Sequence, residues 1–270
     1  MSPVPPAPIV PREGWHVLHL YFHIDPNAMP DAAYFRRLLM ELRSKPDMQI
    51  LVFSVVGNKA DVGFMITGPD LLEVDGAGKQ LAQVCGPGAL ENVYGCYSLT
   101  ERSEYTTSDE DYAAQTLVGE LKLDPASEEY ATKLEEFRVR MEKYLNDRLY
   151  PNLADWPVMC FYTMQKRRDP GQNWYALSFD ARKKLMAGHA RVGRTYAGRI
   201  RQLITGCTGL DDDEWGVTLF AKDVSEIKSI VYEMRFDEVS AQYAEFGPFF
   251  IGIQMEPDAL LAHVLPSRIG

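Results

Sequence analysis

Ile50-Leu-Val-Phe-Ser-Val-Val56 and Val62-Gly-Phe-Met-Ile66 are two short, nearly unbroken apolar runs lying close together in the chain. Runs of this length, rich in β-branched and aromatic residues, predict two buried strands. Upstream, residues 15–24 mix apolar and polar residues as a strand does. Residues 31–43 then place Ala33, Leu38, Leu39 and Leu42 at helical spacing behind Asp31, an N-cap candidate. Downstream, Pro69-Asp70 opens a helix to about residue 84, and residues 93–100 return as a strand. The order is strand, helix, strand, strand, helix, strand.

The second half repeats it. Residues 158–164 read as a strand, 179–192 as a helix, and 197–205 and 215–220 as strands. A helix over 224–236 carries Ile227, Ile230, Val231 and Met234 on one face, and 249–254 is the last strand. Two copies of the ferredoxin-like β-α-β-β-α-β unit are implied, matching in pattern rather than in residues. Between them, residues 126–149 are highly charged, with Leu134, Phe137, Met141, Tyr144 and Leu145 spaced by three and four, an amphipathic connecting helix. The polar, acidic stretch 106–112 reads as a mobile loop.

The expected fold is therefore α+β: two ferredoxin-like repeats whose sheets bury their free faces against each other in a β-barrel with external helices, the dimeric α+β barrel type. A cavity is expected between one sheet and its helices. The division is a Pro-rich arm (1–13), an N-terminal repeat (14–125), a connecting helix (126–155) and a C-terminal repeat (156–270) that carries the candidate site.

The 38 acidic and 28 basic residues leave a net charge of −10, which argues against a nucleic-acid face and makes each Lys/Arg cluster a local feature. The four cysteines, Cys85, Cys96, Cys160 and Cys207, show no CxxC and no metal-like spacing, as thiols in a reducing cytoplasm do. The first residues, Met1-Ser-Pro-Val-Pro-Pro-Ala-Pro8, lack the basic and apolar regions of a signal peptide. Their prolines block helix and sheet, predicting a mobile or extended arm. No apolar run is long enough to span a membrane.

Chemistry concentrates in Cys160-Phe-Tyr-Thr-Met-Gln-Lys-Arg-Arg-Asp169 and the helix that follows. Strand alternation puts Tyr162, Met164 and Lys166 on one face. That lining suits an aromatic ring with carboxylate arms; the alternative is a barrel-rim strand with a buried tyrosine and a solvated lysine. His189, beside Gly188 on a largely apolar helix face, suits an iron ligand. Taken alone, a single histidine is more often an ordinary core or surface residue. Gly188 is read as giving clearance beside the imidazole, since glycine weakens a helix. Arg148, Lys166, Arg167, Arg168, Arg199, Arg201 and Arg235 are candidate carboxylate anchors, although consecutive ones cannot all face one ligand. The acidic run after Gly209, residues 211–214, reads as a solvated turn in preference to a cation site. No P-loop, zinc or triad motif is present.

Several of these stretches occur in order: Tyr162-Thr-Met-Gln-Lys-Arg-Arg-Asp169, Asn173-Trp-Tyr175, His189, Gly193-Arg-Thr-Tyr-Ala-Gly198, Gly209-Leu-Asp-Asp212, Glu214-Trp-Gly-Val-Thr-Leu-Phe220, Tyr232-Glu-Met-Arg-Phe-Asp-Glu238 and Tyr243-Ala-Glu-Phe-Gly-Pro-Phe-Phe-Ile-Gly252. Together they resemble the chlorite dismutase superfamily, in its coproheme decarboxylase branch. The first half resembles it more weakly, at Gly14-Trp-His-Val-Leu-His19 and Tyr97-Ser-Leu-Thr-Glu-Arg-Ser-Glu-Tyr105.

The resemblance implies His189 as the proximal iron ligand and Tyr162 as the tyrosine that becomes a radical. It implies Lys166 as the lysine near the reactive propionate, Gln202 as the distal glutamine, Arg148, Arg235 and Ser240 as propionate contacts, and Met164 as lining the same side. It implies iron-coproporphyrin III as substrate and redox cofactor, hydrogen peroxide as oxidant, and haem b as product. Partners implied are four further copies in a homopentamer and transient contact with coproporphyrin ferrochelatase. The neutral amide of Gln202 argues against chlorite dismutation, because it carries no charge to hold an oxyanion. A non-catalytic haem-binding or haem-delivery protein, and a general peroxidase, are the other readings. Thr163 stands where many relatives have proline; the added backbone donor is expected to shift the strand slightly.

Overall fold

The computed structural model describes residues 7–265. They divide into two compact units: residues 101–152, and the remainder.

The larger unit is built on eight antiparallel strands closed into a barrel in the order β1-β3-β2-β8-β5-β7-β6-β4. Its elements are β1 (His16–Ile24), α1 (Ala32–Arg43), β2 (Gln49–Val55), β3 (Val62–Gly68), α2 (Leu71–Leu81) and β4 (Leu90–Thr100). After the smaller unit come β5 (Val158–Lys166), α5 (Phe179–Thr195), β6 (Ile200–Gly206), β7 (Trp215–Ala221), α6 (Val224–Met234), α7 (Glu238–Tyr243), β8 (Ala244–Gln254) and α8 (Pro257–Val264). Each half thus follows the expected order, and α7 and α8 are additions that short, weakly periodic segments did not announce. Closure removes sheet edges that would otherwise be exposed. The thinnest seam is β4–β6, paired only at Leu99↔Gly206 and Thr100↔Thr205.

Because side chains alternate across a strand, the barrel makes two kinds of core. Inside it, Tyr21, Phe53, Met65, Met159, Phe161, Phe220 and Phe250 pack together. Outside the first half, α1, α2 and α8 cover the sheet with Phe35, Leu38, Leu39, Leu42, Val74, Leu81 and Leu260. Outside the second half, Cys160, Tyr162, Ile200, Val217 and Leu219 meet Ile227 and Ile230 of α6. Asp31 caps α1 as expected, accepting from the Ala33 and Tyr34 amides at 2.8 and 3.0 Å.

Of the arm expected over 1–13, residues 1–6 lie outside the described residues. At Ile9 the chain is held rather than mobile: its N–H donates to Asp70 Oδ1 at 2.8 Å, and its carbonyl accepts from the Leu71 amide at 3.0 Å.

The smaller unit holds α3 (Asp109–Asp111), a π-helical stretch (Tyr112–Glu120) and α4 (Glu128–Leu149). The segment expected as a mobile loop over 106–112 therefore enters helix at Asp109. Ser108 caps it, accepting from the Asp111 amide at 3.1 Å, and Tyr112 stacks on Phe137 of α4 at 4.0 Å between centroids. No helix among the described residues is long and apolar enough to cross a membrane.

Candidate functional site

The outer face of β5 is the centre of the site. Cys160, Tyr162 and Met164 belong to the outer core, while Met159 and Phe161 point into the barrel. The β5–β8 register shifts between Tyr162 and Met164, on either side of Thr163. Its hydroxyl is held from the inside, donating to Asp213 and lying 3.1 Å from the Tyr94 hydroxyl. A side chain on Gly247 of β8 would fall on that hydroxyl, so glycine permits the close approach.

Tyr162 is buried, its ring stacked on Phe249 at 4.3 Å and tilted against Phe246 at 5.9 Å. Burial pushes its phenol well above the usual range, and the Arg235 guanidinium opposes that shift. Arg235, at the C-cap of α6, lies 3.8 Å from the centroid of Phe246 and makes no ion pair among the described residues.

Lys166 closes the strand. It is 6 % exposed, with its ammonium 4.4 Å from the centre of the Trp174 ring. Burial lowers its pKa to about 8, against the pull of the Asp237 and Glu214 carboxylates. Trp174 is placed by Asn173, whose side chain caps the short turn Trp174–Ala176, and by its own N–H donating to the Arg167 carbonyl at 3.0 Å.

His189 sits on α5, and its Nδ1 lies 2.8 Å from Asp237 Oδ2. Asp237 caps α7, accepting from the Val239 amide at 2.9 Å and from Ser240 Oγ at 2.7 Å. Burial works against the charge of Asp237, but the hydrogen bonds from His189 and Ser240 prevail and hold its carboxyl below the ordinary range. A carboxylate accepting from Nδ1–H leaves the Nε2 lone pair available to a metal and fixes the ring.

Although it runs for 17 residues, α5 buries no side chain completely. It leans on α6 and α7, and Leu185, Met186, His189 and Val192 on it are part-buried. Gly193 lies one turn beyond His189, on the same face. A Cβ there would meet Gln202 Nε2 at 3.4 Å and Met234 Cε at 3.5 Å. The β6 amide therefore reaches the face of α5 that carries His189. A Cβ on Gly188 would meet nothing within 4 Å beyond its chain neighbours, His189 among them, and its own helix backbone.

Most of the expected residues come together. Tyr162, Met164, Lys166, His189, Gln202, Arg235 and Ser240 share the outer face of the second half and the helices over it. Arg148 lies in the smaller unit, where its Nε donates to the Glu101 carbonyl at 2.6 Å. Arg199 is paired with Glu226, Arg168 with Glu214, and Arg167 with Glu245 at 3.8 Å. These three act as structural cations, leaving Lys166 and Arg235 the better placed for a ligand carboxylate.

The acidic run 211–214 is not simply a solvated turn. Asp211 accepts from the Tyr97 amide at 2.8 Å, Asp213 accepts from Thr163, and Glu214 is 4 % exposed. Asp237 and Trp174 stand in stretches that carry the family resemblance, but the sequence assigns neither a role. Their available signals were the cap positions of Asp237 before Glu238 and of Asn173 before Trp174.

The donor set fits an iron porphyrin. One imidazole is oriented by a carboxylate, a helix face is kept open, and aromatic and thioether groups line a face with two cations beside it. Among the described residues, no group of three or more His, Cys, Asp or Glu could hold a metal ion.

The comparisons with known proteins agree. The chlorite dismutase family model matches residues 30–255. The coproheme decarboxylase of Staphylococcus carnosus is 35% identical over 268 residues, covering 95% of this chain and 94% of that protein. A protein of Natronomonas pharaonis named for haem binding is 36% identical over 262 residues, covering 92% of this chain. This chain spans 40% of that protein's own length, and 52% of a similarly named Halobacterium salinarum relative. Among solved structures, a haem-binding protein from Thermus thermophilus aligns with a TM-score of 0.75 at 35% identity, covering 97% of this chain and 98% of that one. A chlorite dismutase variant from Candidatus Nitrospira defluvii shares the fold, with a TM-score of 0.68 at 15% identity over 94% of this chain and 97% of that one. With the barrel, the histidine-bearing helix and the family match in agreement, the chain belongs to the chlorite dismutase family.

Proposed function

We propose that this protein uses hydrogen peroxide to decarboxylate iron-coproporphyrin III, converting two propionates to vinyl groups and releasing haem b. Each conversion balances as propionate, one peroxide and one proton giving a vinyl group, carbon dioxide and two waters. The observation that carries the reading is the buried Tyr162 phenol with Arg235 beside it and the buried Lys166 four residues along the same face. The S. carnosus relative, similar over nearly its whole length, supports it.

His189, with Asp237 on its Nδ1, would hold the iron of the bound porphyrin. The bound iron porphyrin, with peroxide, supplies the oxidising equivalents. Tyr162 gives up its phenolic hydrogen and recovers one from the β-carbon of a propionate, which requires near contact with that carbon. Its burial keeps the phenol neutral until then and excludes water. Lys166 and Arg235 hold propionate oxygens, Lys166 also managing a proton there. Ser240, through Asp237, steadies the histidine. Met164 and Phe246 would line the macrocycle, and the neutral Gln202 amide would hydrogen-bond to the oxidant. Arg148 as a further propionate contact, the ring of five and contact with a ferrochelatase belong to the same reading.

The test is anaerobic loading with ferric coproheme, titration with peroxide and mass spectrometry of the porphyrin. Stepwise loss of two carboxyl groups is expected. Coproheme that binds but survives or only bleaches would overturn the reading in favour of a haem carrier or peroxidase, as the haem-binding names of other relatives allow.

A further inference from the structure

Glu214 immediately precedes β7 and is withdrawn from water at 4 % exposure. A carboxylate is buried at a cost that only good partners offset, and its partners are informative. Oε2 accepts from the Lys166 backbone N–H at 2.7 Å, and Oε1 accepts from the Arg168 guanidinium. The Tyr175 hydroxyl also hydrogen-bonds to it. Its own N–H donates to the Met164 carbonyl at 3.1 Å, and its carbonyl accepts from the Cys207 amide at 2.8 Å. One side chain thus ties the end of β5 to β7 and to the turn that carries Trp174.

We propose that Glu214 is a positioning residue for Lys166, fixing the backbone from which its ammonium reaches the Trp174 ring and setting, through its charge, how firmly that ammonium takes a carboxylate. Only the identity of that carboxylate rests on the decarboxylase reading; the geometry does not. The groups facing Lys166 are Glu214 just before β7, Asp237 at the N-cap of α7 and Trp174 from its turn, with Tyr243 behind the indole at 5.5 Å. On its own run, Arg168 is spent on Glu214, and Arg167 Nε lies 3.8 Å from Glu245. Negative charge therefore outweighs positive around the ammonium, and burial opposes it. Its pKa of about 8 is the balance.

The experiment follows Lys166 by side-chain carbon and nitrogen NMR in the full chain without porphyrin, and coproheme turnover in parallel. Glu214→Gln keeps the shape but removes the charge, so Lys166 should titrate lower than in the wild type and turnover at pH 8 should fall about tenfold. Arg168→Gln, at a side chain 59% exposed, frees Glu214 of its compensating cation, so Lys166 should titrate higher. Glu214→Asp keeps the charge and should return the midpoint toward wild type. A purely structural carboxylate would not move the midpoint in opposite directions. An unchanged midpoint in both Gln variants would overturn the proposal, and Arg168→Gln alone decides it if Glu214→Gln does not fold. Opposite shifts in a protein that leaves coproheme intact would uphold the positioning role while sinking the decarboxylase reading.

Discussion

Helices α1 and α5 hold the same place in the two halves, each following the first strand of its repeat, yet they do opposite things. From α1, Phe35, Leu38, Leu39 and Leu42 are buried against the sheet. The corresponding stripe of α5 is Leu185, Met186, His189, Val192 and Gly193, and none of it is fully buried. One helix is core; the other is held off its sheet by contacts with α6 and α7 and by the His189–Asp237 bond. A repeated architecture can thus assign stability to one copy and ligand binding to the other, the second helix being stabilised laterally instead of by what lies beneath it.

This division of labour is challenged most severely at the chemistry. Tyr162→Phe should leave coproheme binding intact and reduce product by at least about a hundredfold, because the phenolic hydrogen is lost while the ring packing is kept. Normal turnover by that variant would remove Tyr162 from the mechanism.

Stability should separate the two helices next. Phe35→Ala should cost about 3–5 kcal/mol in denaturant unfolding, the range for emptying a packed core. Leu185→Ala in the ligand-free protein should cost less than about 1 kcal/mol, since little surface there is removed from water. Equal costs would mean that α5 is core after all.

A third probe lies inside the barrel, common to both halves. His19 is completely buried, stacked on Phe161 at 3.8 Å and bonded through Nε2 to Thr218 Oγ1 at 3.1 Å. Its Nδ1 has no partner among the described residues, and burial lowers its pKa from 6.5 to about 3. Above pH 6.5 it is neutral whether folded or unfolded. Between 6.5 and 3 only the unfolded chain takes the proton, so stability should decline by a few kcal/mol as pH falls through that window. His19→Leu should flatten the slope; an unaltered slope would place the acid sensitivity elsewhere.

The smallest expected effect is on the ligand side. Coproheme at about one hundred times its Kd should stabilise the protein by about 2.7 kcal/mol. Hydrogen exchange should slow more along α5 than along α1, and uniform slowing would argue against α5 as the binding element.

Much of the fold was legible because its signals are local. The apolar runs of β2, β3 and β7 and the stripes of α1 and α6 are set by residues a few positions apart. The Asp31 cap was legible for the same reason. The helix in the smaller unit was missed at 109–120 because its polar residues show no apolar stripe; Tyr112 and Leu117 supply its buried contacts with little periodicity. In the site, Tyr162, Met164 and Lys166 could be put on one face by alternation. The partners that tune them could not: Asp237 is 71 residues from Lys166, and Glu214 is 48 residues away, in a run whose composition resembles any exposed turn.

Residue order alone thus settles which segments become strands and helices, that two similar units pair, and which face of β5 carries the tyrosine and lysine. These follow from periodicity and from the steric alternation of the backbone. Folding in three dimensions was needed to close the units into one barrel, to set α5 apart from its sheet while α1 lies against its own, and to bring buried carboxylates at Asp237 and Glu214 to the histidine and the lysine. Those outcomes depend on desolvation and on charge meeting charge across distant segments, and neither quantity exists until the chain has folded.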